Sequence, residues 1–190
     1  HTDQQAQGYF VYDSKKSGSM TVSHLRFGPD PIRSAYLIDS ADFVACHQFG
    51  LLSRVDVLAT ARTGATVLLN SPYPATEVWD ALPGEVQARI IEKGLDVYVV
   101  DATTIARDAG LGPRINTVMQ PCFFALADVL PRDTAIRLVK ESVEKAYARR
   151  GPDIVARNLV AIDAALAGLE QVDVPTSMTA AVGTGSGAEQ

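Results

Sequence analysis

Two short, continuous apolar runs in the middle of the chain constrain the fold most. Residues 65–71 read ATVLLNS and residues 95–103 read LDVYVVDAT. An uninterrupted apolar run is typical of a strand that is buried on both faces of a sheet, whereas alternation would indicate one solvated face. Helical patterns follow both runs. The sequence therefore predicts an α/β fold with a mostly parallel sheet flanked by helices.

The helices around these strands are predicted from their start and stop signals. The segment 49–64 is predicted to be a helix that ends near Gly64. The segment 76–94 is predicted to be helical with a break at Pro83-Gly84, because proline and glycine interrupt the helical pattern there.

A helical C-terminal part follows from residue 116 onward. The pattern predicts three helices, the second with Asp133 as its N-cap and Gly151 as its C-cap. Residues 171–190 are small and polar and predict a flexible linker or tail. Residues 1–170 are therefore expected to form one domain.

A polar loop joins two predicted strands near the N-terminus. GYFVYD at residues 8–13 is aromatic and β-branched, and MTVSHLRFG at residues 20–28 alternates. A sheet of this class usually opens with a strand and a Gly-rich turn into a helix. The chain instead starts where a second strand would stand, so that opening strand and turn are expected to be missing.

The loop itself offers candidate ligands for an anion: Ser14, Lys15, Lys16, Ser17 and Gly18. Two ammonium groups, hydroxyls and backbone N–H groups could hold a phosphate or a pyrophosphate. The alternative is a solvated polar hairpin, because the loop lacks the lysine-ending Gly-rich pattern of nucleotide-hydrolysing folds. The residues alone leave both interpretations open.

Asn70 and Arg114 are further candidates. Asn70 ends a predicted buried strand, and the carboxyl ends of such strands are favoured ligand positions; the alternative is a plain helix-entry turn. Arg114 precedes a predicted helix and could face an anion or a neighbouring subunit, while Asn116 could cap that helix.

Histidine and cysteine give weaker signals. His24 shares a strand face with Arg26, which fits an anion contact or a plain surface pair. Cys46 and His47 are neighbours on a strand, so their side chains are expected to point apart. Cys46 and Cys122 are expected to be buried, reduced thiols. We predict neither a catalytic residue nor a metal site in this chain.

The charge, the apolar content and the cysteine count of the chain argue against several classes of function. The chain has 17 Lys and Arg against 22 Asp and Glu, a net charge of −5, which disfavours a nucleic-acid binder. No run of about 18 apolar residues occurs, so no membrane span is expected. Two cysteines cannot hold an iron–sulfur cluster alone, since a cluster needs about four thiolates.

Longer stretches carry a family resemblance. GYFVYDSKKSGSMTVSHLRFGPDPIRSAYLIDSADFVACH, TVLLNSPY and AIRLVKESVEKAYARRG closely resemble the gamma-type domain of pyruvate:ferredoxin (flavodoxin) oxidoreductase. The resemblance covers roughly residues 7–169. Two departures stand out: Ser19 replaces the family's second glycine, and the family's opening strand and Gly-rich turn are not seen.

The resemblance implies a large cytoplasmic enzyme, expected to be a homo-oligomer, that converts pyruvate and coenzyme A to acetyl-coenzyme A and CO₂. Electrons would pass to ferredoxin or flavodoxin. Thiamine diphosphate with Mg and [4Fe–4S] clusters would lie in other parts of the enzyme. This domain would bind the substrate coenzyme A through Ser14–Gly18, with Lys15 and Lys16 facing phosphates, and would perform no catalytic step.

Two alternatives remain beside this implication. The domain could mainly pack against other domains or subunits of the same oxidoreductase, with its lysines paired to carboxylates. The enzyme could also act on another 2-oxo acid, because the substrate pocket would lie outside this segment.

Overall fold

The computed structural model describes residues 5–12, 21–33 and 37–180 and divides into two compact units, residues 1–41 and 42–190. The first unit contains an antiparallel ribbon of two strands, β1 (Gln5–Tyr12) and β2 (Thr21–Gly28). These strands confirm the two strands that the sequence predicts over residues 8–13 and 20–28, although β1 begins earlier, at Gln5. Tyr12 lies opposite Thr21 at one end of the ribbon, and Gln5 lies opposite Gly28 at the other.

The second unit is built on a four-stranded sheet of order β3-β4-β5-β6. Its strands are β3 (Ala41–Cys46), β4 (Ala61–Asn70), β5 (Asp96–Val100) and β6 (Glu170–Gln171). β4 and β5 pair in parallel, and β6 joins β5 in the antiparallel sense. The predicted α/β class, a mostly parallel sheet with flanking helices and a helical C-terminal part, is confirmed.

In the described part of this unit, up to Ala180, there are six α-helices: α1 (Val78–Ala81), α2 (Gly84–Lys93), α3 (Ala102–Asp108), α4 (Asn116–Leu126), α5 (Arg132–Tyr147) and α6 (Pro152–Ala167). The interruption between α1 and α2 falls at Pro83-Gly84, as predicted. None of the helices in the described ranges combines the length and the apolar character that crossing a bilayer requires.

The two central strands are buried on both faces, which is why their sequences show no alternation. One face packs against α1 and α2 through Val67, Leu69, Val97 and Val99. The other packs against α3, α4 and α6 through Leu68 and Val100. Helix α5 packs on α4 and α6 through Val139, Val143 and Ile162.

The prediction of a helix over residues 49–64 is wrong. Only Phe49–Ser53 is helical, as a short 3-10 turn, and residues 61–64 already belong to β4. Contacts distant in sequence hold the intervening segment: the guanidinium of Arg89 on α2 lies 2.8 Å from the carboxylate of Asp56. These tertiary partners override the local helical pattern.

The predicted caps of the second C-terminal helix also differ. Pro131 is the N-cap residue of α5, and Asp133 lies in the first turn, where its charge still favours the helix dipole. Ala148 ends α5 and a 3-10 turn follows, so Gly151 is instead the N-cap of α6, with φ of 101°. That positive φ explains the glycine, because side chains rarely adopt it.

The segment after α6 has defined contacts in residues 171–180. Val172 is buried, and Val174 packs against the core beneath α1 and α2. The backbone N–H groups of Thr179 and Ala180 donate to Oε1 of Gln87 at 2.9 and 3.1 Å. This part of the expected tail is therefore fastened to the sheet domain.

Candidate functional site

Asn70 lies at the carboxyl end of β4, the position that made it a candidate ligand. Its Nδ2 donates to the carbonyl oxygen of His47 at 2.9 Å and to Oγ1 of Thr103 at 3.1 Å. Its Oδ1 accepts from the backbone N–H of Ala102 at 3.0 Å. Both amide hydrogens are therefore used by the protein, and the side chain joins the ends of β3, β4 and β5.

The neighbouring polar groups at this edge are also satisfied. The hydroxyl of Ser71 donates to the carbonyl oxygen of Tyr73 at 2.9 Å and accepts from its N–H at 3.0 Å. Asp101, the N-cap of α3, accepts from the N–H of Thr104 at 2.9 Å. These side chains accept from backbone N–H groups in the turn after β4 and in the first turn of α3. Those N–H groups would otherwise have no partner within the turn or the helix.

A cleft of about 240 Å³ opens beside this edge, lined among others by Tyr73, Asp101 and Glu170. Glu170 Oε2 accepts from the N–H of Ala75 at 3.0 Å. The cleft presents two carboxylates and a phenol, and no lysine or arginine of the described residues lines it. A phosphate here would meet charge repulsion, so the arrangement suits a cation or a neutral polar group better than an anion.

Arg114 lies in the connection between α3 and α4, exposed to solvent. Its guanidinium makes no hydrogen bond or ion pair with the residues that the structure describes, which leaves it available to an anion or a partner. Asn116 is the first residue of α4 and makes no side-chain capping bond, so its predicted capping role is wrong. No hydrogen bond or ion pair joins Arg114 to Asn70.

The five loop candidates, Ser14, Lys15, Lys16, Ser17 and Gly18, lie outside the described residues. The structure does describe the residues on either side of the loop. Tyr12 and Thr21 are partners at the end of the β1–β2 ribbon, so the chain leaves and re-enters the ribbon at one end.

His24 and Arg26 share the half-buried face of β2, as the alternation predicts. Nδ1 of His24 accepts from the backbone N–H of Ile38 at 3.2 Å. Nη1 of Arg26 donates to Oε1 of Gln7 at 3.4 Å. These partners position both side chains within the first unit.

The cysteines are buried and unpaired, as predicted. Cys46 donates to the carbonyl oxygen of Gln48 while the adjacent His47 is exposed, so the two neighbours diverge. Burial raises the pKa of the Cys46 thiol and raises the pKa of Cys122 to about 12. Within the described ranges, no group of three or more His, Cys, Asp or Glu side chains could hold a metal ion.

Two polar residues on α2 have roles that the sequence reading missed. Gln87 is fully buried, and its Nε2 donates to the carbonyl oxygen of Trp79 at 2.7 Å. Lys93, at the end of the helix, donates to three backbone carbonyls. The sequence does contain a signal for the role of Gln87. It lies one turn before Ile90 and Ile91, on the apolar side of an amphipathic helix, and a polar residue there indicates a buried polar contact.

The sequence of this chain is similar to segments of much longer proteins. The family model described as "Pyruvate ferredoxin/flavodoxin oxidoreductase" matches residues 1–168. A pyruvate-flavodoxin oxidoreductase from a Nostoc species is 58% identical over 174 residues, which cover 92% of this chain and 14% of that protein. A pyruvate:ferredoxin oxidoreductase from Moorella thermoacetica is 48% identical over 182 residues, 96% of this chain and 16% of that protein.

A solved structure supports the fold independently. Subunit PORC of pyruvate oxidoreductase from Thermotoga maritima superposes with a TM-score of 0.64, covering 88% of this chain and 82% of that one. Its sequence identity is 17%, so this likeness concerns the fold alone. The chain thus spans a small part, about one seventh, of the curated relatives that it matches.

Proposed function

Because this chain belongs to the pyruvate ferredoxin/flavodoxin oxidoreductase family, we propose that it is a segment of an enzyme that converts pyruvate and coenzyme A to acetyl-coenzyme A and CO₂. The electrons pass to oxidised ferredoxin or flavodoxin. The family match along nearly the whole chain is the observation that carries this proposal. The enzyme is a cytoplasmic homo-oligomer in this proposal.

The role of this segment is to bind and position coenzyme A through Ser14–Gly18. Lys15 and Lys16 are adjacent cations in a chain of net charge −5, and coenzyme A carries a pyrophosphate and a ribose phosphate. The carboxylates of Asp101 and Glu170 make the edge of the sheet a poor place for these phosphates, which favours the lysine loop. Arg114 is a second available cation.

The contribution to the reaction is orientation. Fixing the phosphates would hold the thiol of coenzyme A in one position relative to the rest of the enzyme, which would convert a bimolecular encounter into a positioned one. The donor set of this chain does not suit an iron–sulfur cluster, since its two cysteines are separately buried with raised pKa values. The clusters therefore lie in other parts of the enzyme in this proposal, and the thiamine diphosphate with its Mg is assigned to those parts as well.

Calorimetric titration of coenzyme A into the 190-residue chain, at low and moderate salt, tests the role of the loop. We expect binding that weakens with salt and is lost on Lys15→Ala with Lys16→Ala, because screening reduces charge pairing near the surface. The control is Arg149→Ala with Arg150→Ala, an adjacent pair of exposed cations elsewhere. Binding that survives the lysine changes would contradict the proposal.

The second candidate role is packing within the same oxidoreductase. One observation favours it: Phe10 and Leu25 on the ribbon are 62% and 49% exposed. The two roles are compatible, because the loop and the ribbon strands are different parts of the first unit.

A further inference from the structure

The cleft beside the carboxyl ends of β4 and β5 lies at a topological switch point. The chain leaves β4 for α1 and α2 on one face of the sheet, and it leaves β5 for α3 on the other face. Connections that diverge in this way open a crevice between two neighbouring strands, and open α/β sheets bind their ligands in such crevices. We call this crevice the switch-point cleft, and its lining includes Pro72, Tyr73, Pro74, Asp101, Gly168 and Glu170.

Two carboxylates line the switch-point cleft side by side. Glu170 is directly opposite Val99 in the antiparallel pairing of β5 with β6, and directly opposite residues share a face. Asp101 follows Val99 by two positions, and strand alternation favours that same face for it. Neither carboxylate forms an ion pair with the residues that the structure describes. Neighbouring like charges repel each other, so a bound cation would relieve this repulsion.

Each carboxylate is held by one oxygen and offers the other. Oε2 of Glu170 accepts from the N–H of Ala75, and Oδ1 of Asp101 accepts from the N–H of Thr104. The second oxygen of each group accepts no hydrogen bond from the described residues. Both groups are therefore oriented before a ligand arrives, which lowers the entropy that binding costs.

An aromatic ring on a stiff backbone forms another wall of the cleft. Tyr73 stands between two prolines, whose rings fix their own φ angles, and the hydroxyl of Ser71 bonds both the N–H and the carbonyl oxygen of Tyr73. The ring of Phe49 lies 5.5 Å from that of Tyr73. Tyr73 is nevertheless 42% exposed, so its ring is positioned by the protein and still accessible to a ligand.

A guanidinium group suits these walls better than other cations do. Its planar fork of N–H donors pairs with carboxylates, and its flat face stacks on an aromatic ring. An ammonium is a compact, strongly hydrated charge and is found over rings less often. A bare metal ion is disfavoured, since no group of three or more His, Cys, Asp or Glu side chains in the described ranges could hold one. The cleft, about 240 Å³, is smaller than the sites of drug-sized ligands, which start at roughly 300 Å³.

We propose that the switch-point cleft binds a guanidinium group, with Asp101 and Glu170 accepting its N–H donors and the ring of Tyr73 against its face. The group belongs either to a small guanidino compound or to an arginine side chain on a protein surface that meets this edge of the sheet. The inference goes beyond the proposed function, because neither the lysine loop nor coenzyme A takes part in it.

Titration of N-acetyl-arginine amide into the 190-residue chain, followed by NMR of the backbone amides, tests the site. We expect saturable shifts in the millimolar range, concentrated in residues 71–75, 99–101 and 168–170, and weakened by added salt. N-acetyl-citrulline amide is the matched ligand control, because it keeps the shape of arginine without its charge. Equal shifts with both ligands would overturn the proposal, as would the absence of saturable shifts with the arginine amide.

Variants assign the binding to the cleft. Asp101→Asn with Glu170→Gln should weaken binding about fivefold. Both amides keep an oxygen that can accept from the backbone, and asparagine remains a good N-cap. Tyr73→Leu should weaken binding about threefold.

The control variant is Asp80→Asn with Glu85→Gln, which removes the same charge from exposed positions on α1 and α2. It should leave the Kd within twofold of the unaltered chain. Weakening equal to that of the cleft variant would show a general attraction to an acidic protein and would overturn the site.

The full-length oxidoreductase that contains this chain identifies the source of the group. Nitration of Tyr73, read by mass spectrometry, should be slowed by added N-acetyl-arginine amide if the cleft takes a small guanidino compound. If an arginine side chain fills the cleft, Tyr73 should be shielded without ligand and should become reactive in the variant Asp101→Asn with Glu170→Gln. Nitration at one rate under all conditions, or shielding that this variant leaves intact, would overturn the proposal.

Discussion

The ammonium nitrogen of Lys93 lies 2.5 Å from the carbonyl oxygen of Ala61, which stands 32 positions earlier in the chain. The same nitrogen lies 3.0 Å from the carbonyl oxygen of Leu58 and 3.1 Å from that of Ala59. One cation at the end of α2 thus satisfies three carbonyls of the turn that leads into β4. Lysine in the last helical turn also favours the helix dipole.

Lys93→Met should lower the free energy of unfolding by about 2 kcal/mol, because three carbonyl oxygens lose a charged donor while the apolar stem is kept. Urea unfolding followed by circular dichroism measures the change. Lys145→Met, on the exposed side of α5, is the control and should shift stability by less than about 0.5 kcal/mol. Equal effects of the two changes would contradict the role given to Lys93.

Gln87→Met should lower the free energy of unfolding by about 3 kcal/mol, because it leaves buried donors and acceptors without partners. It should also speed amide exchange at Thr179 and Ala180, which donate to Gln87. Hydrogen exchange read by mass spectrometry reports this release. Glu92→Met, exposed on the same helix, should leave exchange of residues 172–180 unchanged. Unaltered exchange in the Gln87 variant would show that other contacts hold the segment.

Asn70→Ala should lower the free energy of unfolding by about 2–3 kcal/mol, since it removes the amide that joins three segments and leaves the N–H of Ala102 without its acceptor. Thermal unfolding detects the loss. Asn116→Ala is the matched control, because that exposed side chain makes no capping bond. A stable Asn70 variant with weakened coenzyme A binding would instead assign Asn70 to the ligand.

Stability should fall at alkaline pH through Cys122. Well below pH 9 the thiol is neutral in the folded and unfolded states, so it adds no pH dependence there. Above the ordinary pKa of 9.0 the unfolded thiol loses its proton, while the folded thiol keeps it until about pH 12. The unfolded state is therefore favoured as pH rises, by an amount on the order of 4 kcal/mol at pH 12.

Urea unfolding at several pH values from 8 to about 11 checks this titration against Cys122→Ala. The alanine variant should be less stable at pH 8, because it leaves a small cavity. Its stability should then fall less steeply with pH, since the titrating thiol is gone. Parallel curves for the two proteins would show that Cys122 does not titrate differently on unfolding.

Lys15→Ala with Lys16→Ala, in the full-length oxidoreductase, should raise the KM for coenzyme A at least tenfold and leave the KM for pyruvate nearly unchanged. Each lost charge-assisted contact costs roughly 1.5–3 kcal/mol when shielded from water and less when exposed. Steady-state kinetics with each substrate varied separately gives both constants. The change of Arg149 and Arg150 to alanine is the control. An unchanged KM for coenzyme A would remove the loop from the site.

Local sequence was enough to predict the central strands and several helices. The runs ending at Asn70 and Val100 are short, largely apolar and bounded by turn residues, which favours a strand buried on both faces over a helix. The break at Pro83-Gly84 is equally local, because proline lacks the N–H that a continuing helix needs. The family of the chain was also readable from its longer sequence stretches.

The tertiary structure decided what local patterns could not. Residues 49–64 have a helical pattern, yet Lys93 and Arg89 bind the turn at 54–61 from a distant helix. The small polar residues around Thr179 predict a flexible tail. In the folded structure, however, the backbone N–H of Thr179 donates to the buried amide of Gln87. Asn70 was found as a candidate from its position, but its three partners come from segments that only the folded sheet brings together. A hydrogen bond between residues dozens of positions apart leaves no periodic trace in the sequence, whereas burial of a strand or a helix face does.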